Sequence, residues 1–113
     1  MSEKGDLVFV EHIIDSLNAI AEFSKGMTKE EFLSNRLKQS AIIREIEVIG
    51  EAVKNISIEL KNKYKDVLWA DIAGTRDKFI HHYFGVDLEI VWGIIKNDLP
   101  VLKGQMDKIK SRV

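Results

Sequence analysis

Apolar residues recur three and four positions apart along almost the whole chain, and no segment alternates as a half-buried strand would. The first run predicts a helix from about Asp6 to Lys25. Its stripe is Leu7, Val10, Ile13, Ile14, Leu17, Ile20 and Ala21, with Asp6 to cap its start and Gly26 to end it. Thr28 followed by Glu31 is a capping box and opens a short helix to about Leu33. A long third helix is expected from about Asn35 to Lys61, on Leu37, Ala41, Ile42, Ile46, Ile49, Val53, Ile56 and Leu60. Gly50 in its middle points to close helix packing.

Asn62 to Asp66 reads as a polar turn. A fourth helix follows from about Trp69 to Phe84, with a break expected near Gly74 and a stop at Gly85. Asp87 caps a fifth, from Leu88 to about Lys110, striped by Ile90, Val91, Ile94, Ile95, Leu99 and Leu102. Pro100 should kink or interrupt it, and Ser111 to Val113 should fray. These segments and their short joints predict an all-α, up-and-down four-helix-type bundle with an additional short helix, in a single domain over residues 1–113.

Composition narrows the chemistry. Hydrophobic residues make up 45% and charged residues 31%, which describes a globular chain and not a disordered one. With no cysteine, disulfides, thiolate metal sites and a cysteine nucleophile are excluded, and a cytoplasmic location is expected. The start MSEKGD does not resemble a signal peptide, and no apolar run approaches the roughly 20 residues of a membrane span. A net charge of −1 argues against broad coating of nucleic acid. Any RNA contact should use a small cleft with a few local cations.

Polar chemistry concentrates in TRDKFIHHYFG, from Thr75 to Gly85. An arginine, an aspartate, two histidines and a tyrosine fall there beside aromatic rings. Three histidines in all (His12, His81 and His82) do not make a zinc site, because adjacent helical residues point apart. No glycine-rich phosphate loop and no GxSxG elbow occurs. Lys61, Lys63 and Lys65 cluster near a turn, where exposed lysines more often serve solubility than binding. Acid–base chemistry without a metal is the better fit.

Arg76, His81 and Tyr83 are spaced as arginine, four residues, histidine, one residue, tyrosine. This resembles the RX4HXY motif of the HepT-like ribonuclease toxins, also called DUF86, in the HEPN superfamily. The similarity extends to IIREIEVIGEA from Ile42, WADIAGTR from Trp69, HHYFGVDLEIVW, and the NDLP that follows. It implies a HEPN helical bundle that forms a homodimer, with motif residues of two subunits around one cleft. It also implies metal-independent RNA cleavage without a cofactor, as the toxin of a type VII toxin–antitoxin pair. The implied partner is a cognate minimal nucleotidyltransferase antitoxin that silences the toxin by transferring AMP to the motif tyrosine. Carried over, Arg76 and His81 are catalytic and Tyr83 is the modified tyrosine, while His82 inherits no role. The alternative is a non-catalytic HEPN module that binds a nucleotide or the nucleotidyltransferase.

Those residue types suit the task. RNA supplies its own nucleophile in the 2′-hydroxyl. Histidine titrates near neutrality and can move a proton, and arginine can hold two phosphate oxygens at once. In the last turn of a helix ended by Gly85, the dipole would favour the protonated imidazole of His81. Geometry sets one obstacle. Arg76 and Tyr83 nearly share a helix face, but Arg76 and His81 lie roughly 140° apart around a regular helix. Arginine's reach, a distortion of the helix or a second subunit must bring them together.

Overall fold

The computed structural model describes residues 3–81 and 87–112, with backbone alone at 3–4 and 76–81. Every regular element among them is helical: α1 Glu3–Ser24, α2 Lys29–Ser34, α3 Arg36–Lys54, α4 Ile58–Lys63, α5 Trp69–His81, α6 Leu88–Gly93 and α7 Leu99–Arg112. A π-helical turn, Ile94–Asp98, joins α6 to α7 without a break. The expected bundle is therefore present, with α3 packed between α1 and α5, and α7 against α1. Two short helices, α2 and α4, supplement the long ones where one was expected.

The core comes from the predicted stripes. Val10, Ile13 and Ile20 of α1 meet Ile42, Ile49 and Val53 of α3 and Val91, Met106 and Ile109 of the last helix. Phe32 of α2 is fully buried, and its ring lies 5.5 Å from that of Trp92. Leu37 and Ile90 were expected in the stripes, yet 78% and 54% of their surface is exposed. Each sits in the first turn of its helix, and Ile90 lies off the face that its neighbours Leu88 and Val91 bury. Gly50 is buried within α3, as close packing requires.

Several joints form as their residues dictate. Gly26 takes a positive φ of 70°, the left-handed conformation that glycine adopts at no steric cost. Thr28 accepts from the Glu31 amide at 3.1 Å, and the Glu31 carboxylate accepts from the Thr28 amide at 2.9 Å. The bond from the Thr28 amide, with the Thr28 hydroxyl second, holds the Glu31 carboxyl below its usual range. Asn35 caps α3 through the Lys38 amide, and Asp87 caps α6 through the Glu89 and Ile90 amides.

Other joints differ from expectation. Asp6 does not cap α1. It lies inside that helix, 1% exposed, and its carboxylate accepts from the Ser57 amide at 2.8 Å and the Ser57 hydroxyl at 2.6 Å. That remote acceptor is the reason the long third helix stops at Lys54. Asn55 turns the chain, and Ser57 begins α4 by accepting from the Leu60 amide at 3.2 Å. Ile56 and Leu60 stay buried across the break, so the apolar period runs on where the backbone does not. Helix α4 ends at Lys63, and Tyr64 opens the turn into α5.

Helix α5 continues through Gly74 without the expected break. A glycine costs about 1 kcal/mol in a helix, and the packing of Ile72 and Ala73 against the core offsets it. The last helix also survives Pro100, whose missing N–H and bulky ring are accommodated by the π turn. The adjustment occurs just before it. The Leu99 amide donates to the Ile94 carbonyl, five residues back, which widens the helix by one residue. At the far end α7 remains helical through Arg112, beyond the fraying expected from Ser111.

Candidate active site on the fifth helix

Two motif positions, Arg76 and His81, lie on α5, so the anchoring of α5 sets where their backbone stands. Trp69 is buried and its indole nitrogen donates to the Tyr64 carbonyl at 3.0 Å, fixing the start of the helix against the turn from α4. Asp71 places negative charge in the first turn, where the helix dipole favours it. Ile72 and Ala73 pack on the core, and the Thr75 hydroxyl donates to the Asp71 carbonyl at 2.9 Å.

Arg76 and His81 both belong to this helix. Its backbone is α-helical from Trp69 to His81, so no break or change of helix type separates the two motif positions. By register, Arg76 falls on the row of Trp69, Ile72 and Ala73, whereas His81 falls on the row of Ala70 and Gly74. Of the three ways to bring them together, a break or a change of helix type between them is thus not what the backbone shows. The side chains of Arg76 and His81 lie outside the described residues. So do Tyr83, His82 and Gly85 altogether.

A groove of about 330 Å³ includes Thr75, the residue before Arg76, among its described lining residues. Ile46 and Ile49 of α3 and Leu99 and Leu102 of α7 give it an apolar floor, and Asp66, Asp71 and Asp98 give it an acidic margin. The described charged residues of this groove are thus all carboxylates, which disfavour phosphate. Asn97 and Asp98 reach it from the π turn. Neither they nor Thr75 drew attention as groove residues in the sequence, because a π turn leaves no mark on an apolar period.

The third histidine stands elsewhere. His12 is exposed on α1, edge-on to Phe9 with ring centroids 6.0 Å apart, in a groove of about 280 Å³ shared with Arg44 and Glu47. The lysines at the α4 turn line a wider groove of about 680 Å³ through Lys61 and Lys65, which also contains Asp71. Lys61 and Lys63 lie in the last turn of α4, where their charge complements the helix dipole. No helix among the described residues is long and apolar enough to cross a membrane.

Comparison with known proteins places these features in a family. A family model described as ribonuclease HepT-like matches residues 13–109, which include all of α5 and the motif. The chain is 40% identical over 103 residues to a probable ribonuclease HepT of Thermococcus cleftensis, covering 91% of this chain and 94% of that one. It is 45% identical over 100 residues to a candidate RNase of Methanocaldococcus jannaschii, covering 88% and 83%. A longer protein of the same organism carries the name of a gamma-glutamylcyclotransferase together with that of a candidate RNase. It is 41% identical over 106 residues, or 94% of this chain, which spans 48% of that protein. No solved structure gives a significant match. The chain belongs to the HepT-like ribonuclease family.

Proposed function

We propose that this protein is a metal-independent endoribonuclease, the toxin of a type VII toxin–antitoxin pair, whose working groups are Arg76 and His81 and whose control point is Tyr83. The observation that supports this most is the position of Arg76, His81 and Tyr83, in RX4HXY spacing, inside the stretch that matches the HepT-like family. The relatives named as ribonucleases support the substrate class.

In this reading the RNA 2′-hydroxyl attacks the adjacent phosphorus. Its proton passes to a base, the bond to the 5′-oxygen breaks, and that oxygen takes a proton from an acid. Arg76 neutralises the crowded phosphate with paired hydrogen bonds. One His81 supplies one of the two proton transfers. The continuous helix holds Arg76 and His81 on different rows, so a homodimer that brings a second His81 to the same cleft would supply the other. AMP placed on Tyr83 by a cognate nucleotidyltransferase would add a bulky anion close to Arg76 and compete for its charge.

The experiment is cleavage of a defined RNA, in EDTA, by wild type and His81→Ala. We expect wild type to cut and His81→Ala to lose at least a hundredfold in rate, the usual scale of a lost acid or base. Equal rates would sink the assignment and leave a binding module. A second variant separates catalysis from control. Tyr83→Phe should cut RNA at about the wild-type rate while resisting silencing by the nucleotidyltransferase and ATP. Loss of cleavage in a folded Tyr83→Phe would give the tyrosine a catalytic role instead.

A further inference from the structure

On the other side of the π turn lies a groove of opposite character. It measures about 460 Å³ and runs between the C-terminal half of α1 and the start of α7. Its floor is apolar, formed by residues such as Leu17, Ile20 and Leu99. Its charged lining consists of Lys25, Lys96 and Lys103, with no carboxylate among the lining residues. In a chain of net charge −1, a groove lined by cations alone is a local departure.

We propose that this groove holds the phosphate backbone of the RNA strand outside the cleavage site, with Lys25 and Lys96 as its phosphate contacts. The proposal rests on the ribonuclease reading above for the identity of the polyanion, and on the following geometry for its place. Lys103 is already engaged, 2.7 Å from Asp107. Lys25 and Lys96 have no carboxylate at ion-pair distance among the described residues. The Lys96 amine is held 4.8 Å from the centre of the Trp92 ring, which limits its wandering and lowers the entropy cost of fixing it on a ligand.

Topology favours this groove over the wider one beside Lys61 and Lys65. Helices α1, α3 and α5 alternate in direction, so α1 and α5 finish at the same end of the bundle. Lys25 follows the last residue of α1, and His81 is the last described residue of α5. The groove beside Lys61 and Lys65 opens at the other end and contains Asp71. The groove that includes Thr75 carries three aspartates, which disfavour phosphate. A strand whose scissile phosphate sits at the motif can therefore continue at the same end of the bundle into the lysine-lined groove across the π turn, at Lys96 and Lys25.

The test uses a fluorescent 2′-O-methyl oligoribonucleotide of about 20 residues, which keeps the phosphates but lacks the nucleophile. Its anisotropy is followed against salt for the full chain, for Lys25→Gln/Lys96→Gln, and for Lys61→Gln/Lys65→Gln as the control. We expect the first pair to weaken binding about tenfold and to flatten the slope of log affinity against log salt by about 1.4, or 0.7 per lost contact to a single strand. The control pair should bind as wild type. Wild-type affinity and slope in the first pair would overturn the proposal, as would an equal loss in both pairs. Binding of the uncleavable strand does not require His81 to act. The groove can therefore fail while His81→Ala still abolishes cleavage, and the ribonuclease reading can fail while the groove still binds.

Discussion

Two joints in this bundle end their helices by opposite means. Between α1 and α2 the turn is made by Gly26, Thr28 and Glu31, all within a few residues of one another and all exposed. Between α3 and α4 the turn depends on Asp6, a buried carboxylate 51 residues away in sequence. A local cap competes with water for each of its groups and gains little. A buried acceptor leaves a donor stranded when it is removed, and the full cost of desolvation then appears. The difference predicts a large gap in energetic weight between two turns that do the same geometric work.

Asp6→Ala should break the comparison most visibly. It removes two hydrogen bonds to a charged acceptor and leaves the Ser57 amide without its partner, at a cost of about 3 kcal/mol. The check is the urea midpoint at an unchanged slope. A loss below about 1 kcal/mol would mean that water replaces the carboxylate. Thr28→Ala, by contrast, should cost about 1 kcal/mol or less, the range of a single helix cap. A loss equal to that of Asp6→Ala would erase the distinction.

The smallest effect concerns acid. The Glu31 carboxyl is held below its ordinary range by its bond from the Thr28 amide, with the Thr28 hydroxyl second. Its stabilising effect is therefore complete above its unfolded value of about 4.3 and fades as pH falls through the lower folded value. Wild type and Glu31→Gln should differ slightly in melting temperature at pH 7 and converge at strongly acid pH. A difference that grows as the pH falls would reverse the sign of this linkage.

The same contrast explains what was legible in the sequence. The capping box, Asp87 and Gly26 act through neighbours, so their residue types announced them. The break at Asn55 to Ser57 was not legible. Ile56 and Leu60 keep the apolar stripe in phase across it, and the acceptor that stops the helix is distant in the chain. Asp6 looked like the cap of the nearest helix because its type suits a cap, and its true partner could not be seen from the spacing. At the candidate site, the composition around Arg76 marked a concentration of polar groups. Only the resemblance separated their roles. Helix periodicity contributed the one geometric problem, the different rows of Arg76 and His81, and the unbroken α5 keeps that problem in place.

The π turn has a consequence for how this gene can change. A widened turn is in effect one surplus residue wound into a helix, and here it lies just ahead of Pro100. Deleting one residue of Ile94–Asp98 would restore the ordinary repeat and keep α6 and α7 in their present relation, but the widened turn would be lost. It would also bring the proline ring against a carbonyl one turn back. Lys96 would move out of one groove as Asn97 and Asp98 left the other. A partly exposed helix usually tolerates many substitutions, but this stretch should tolerate changes of letter far better than changes of length.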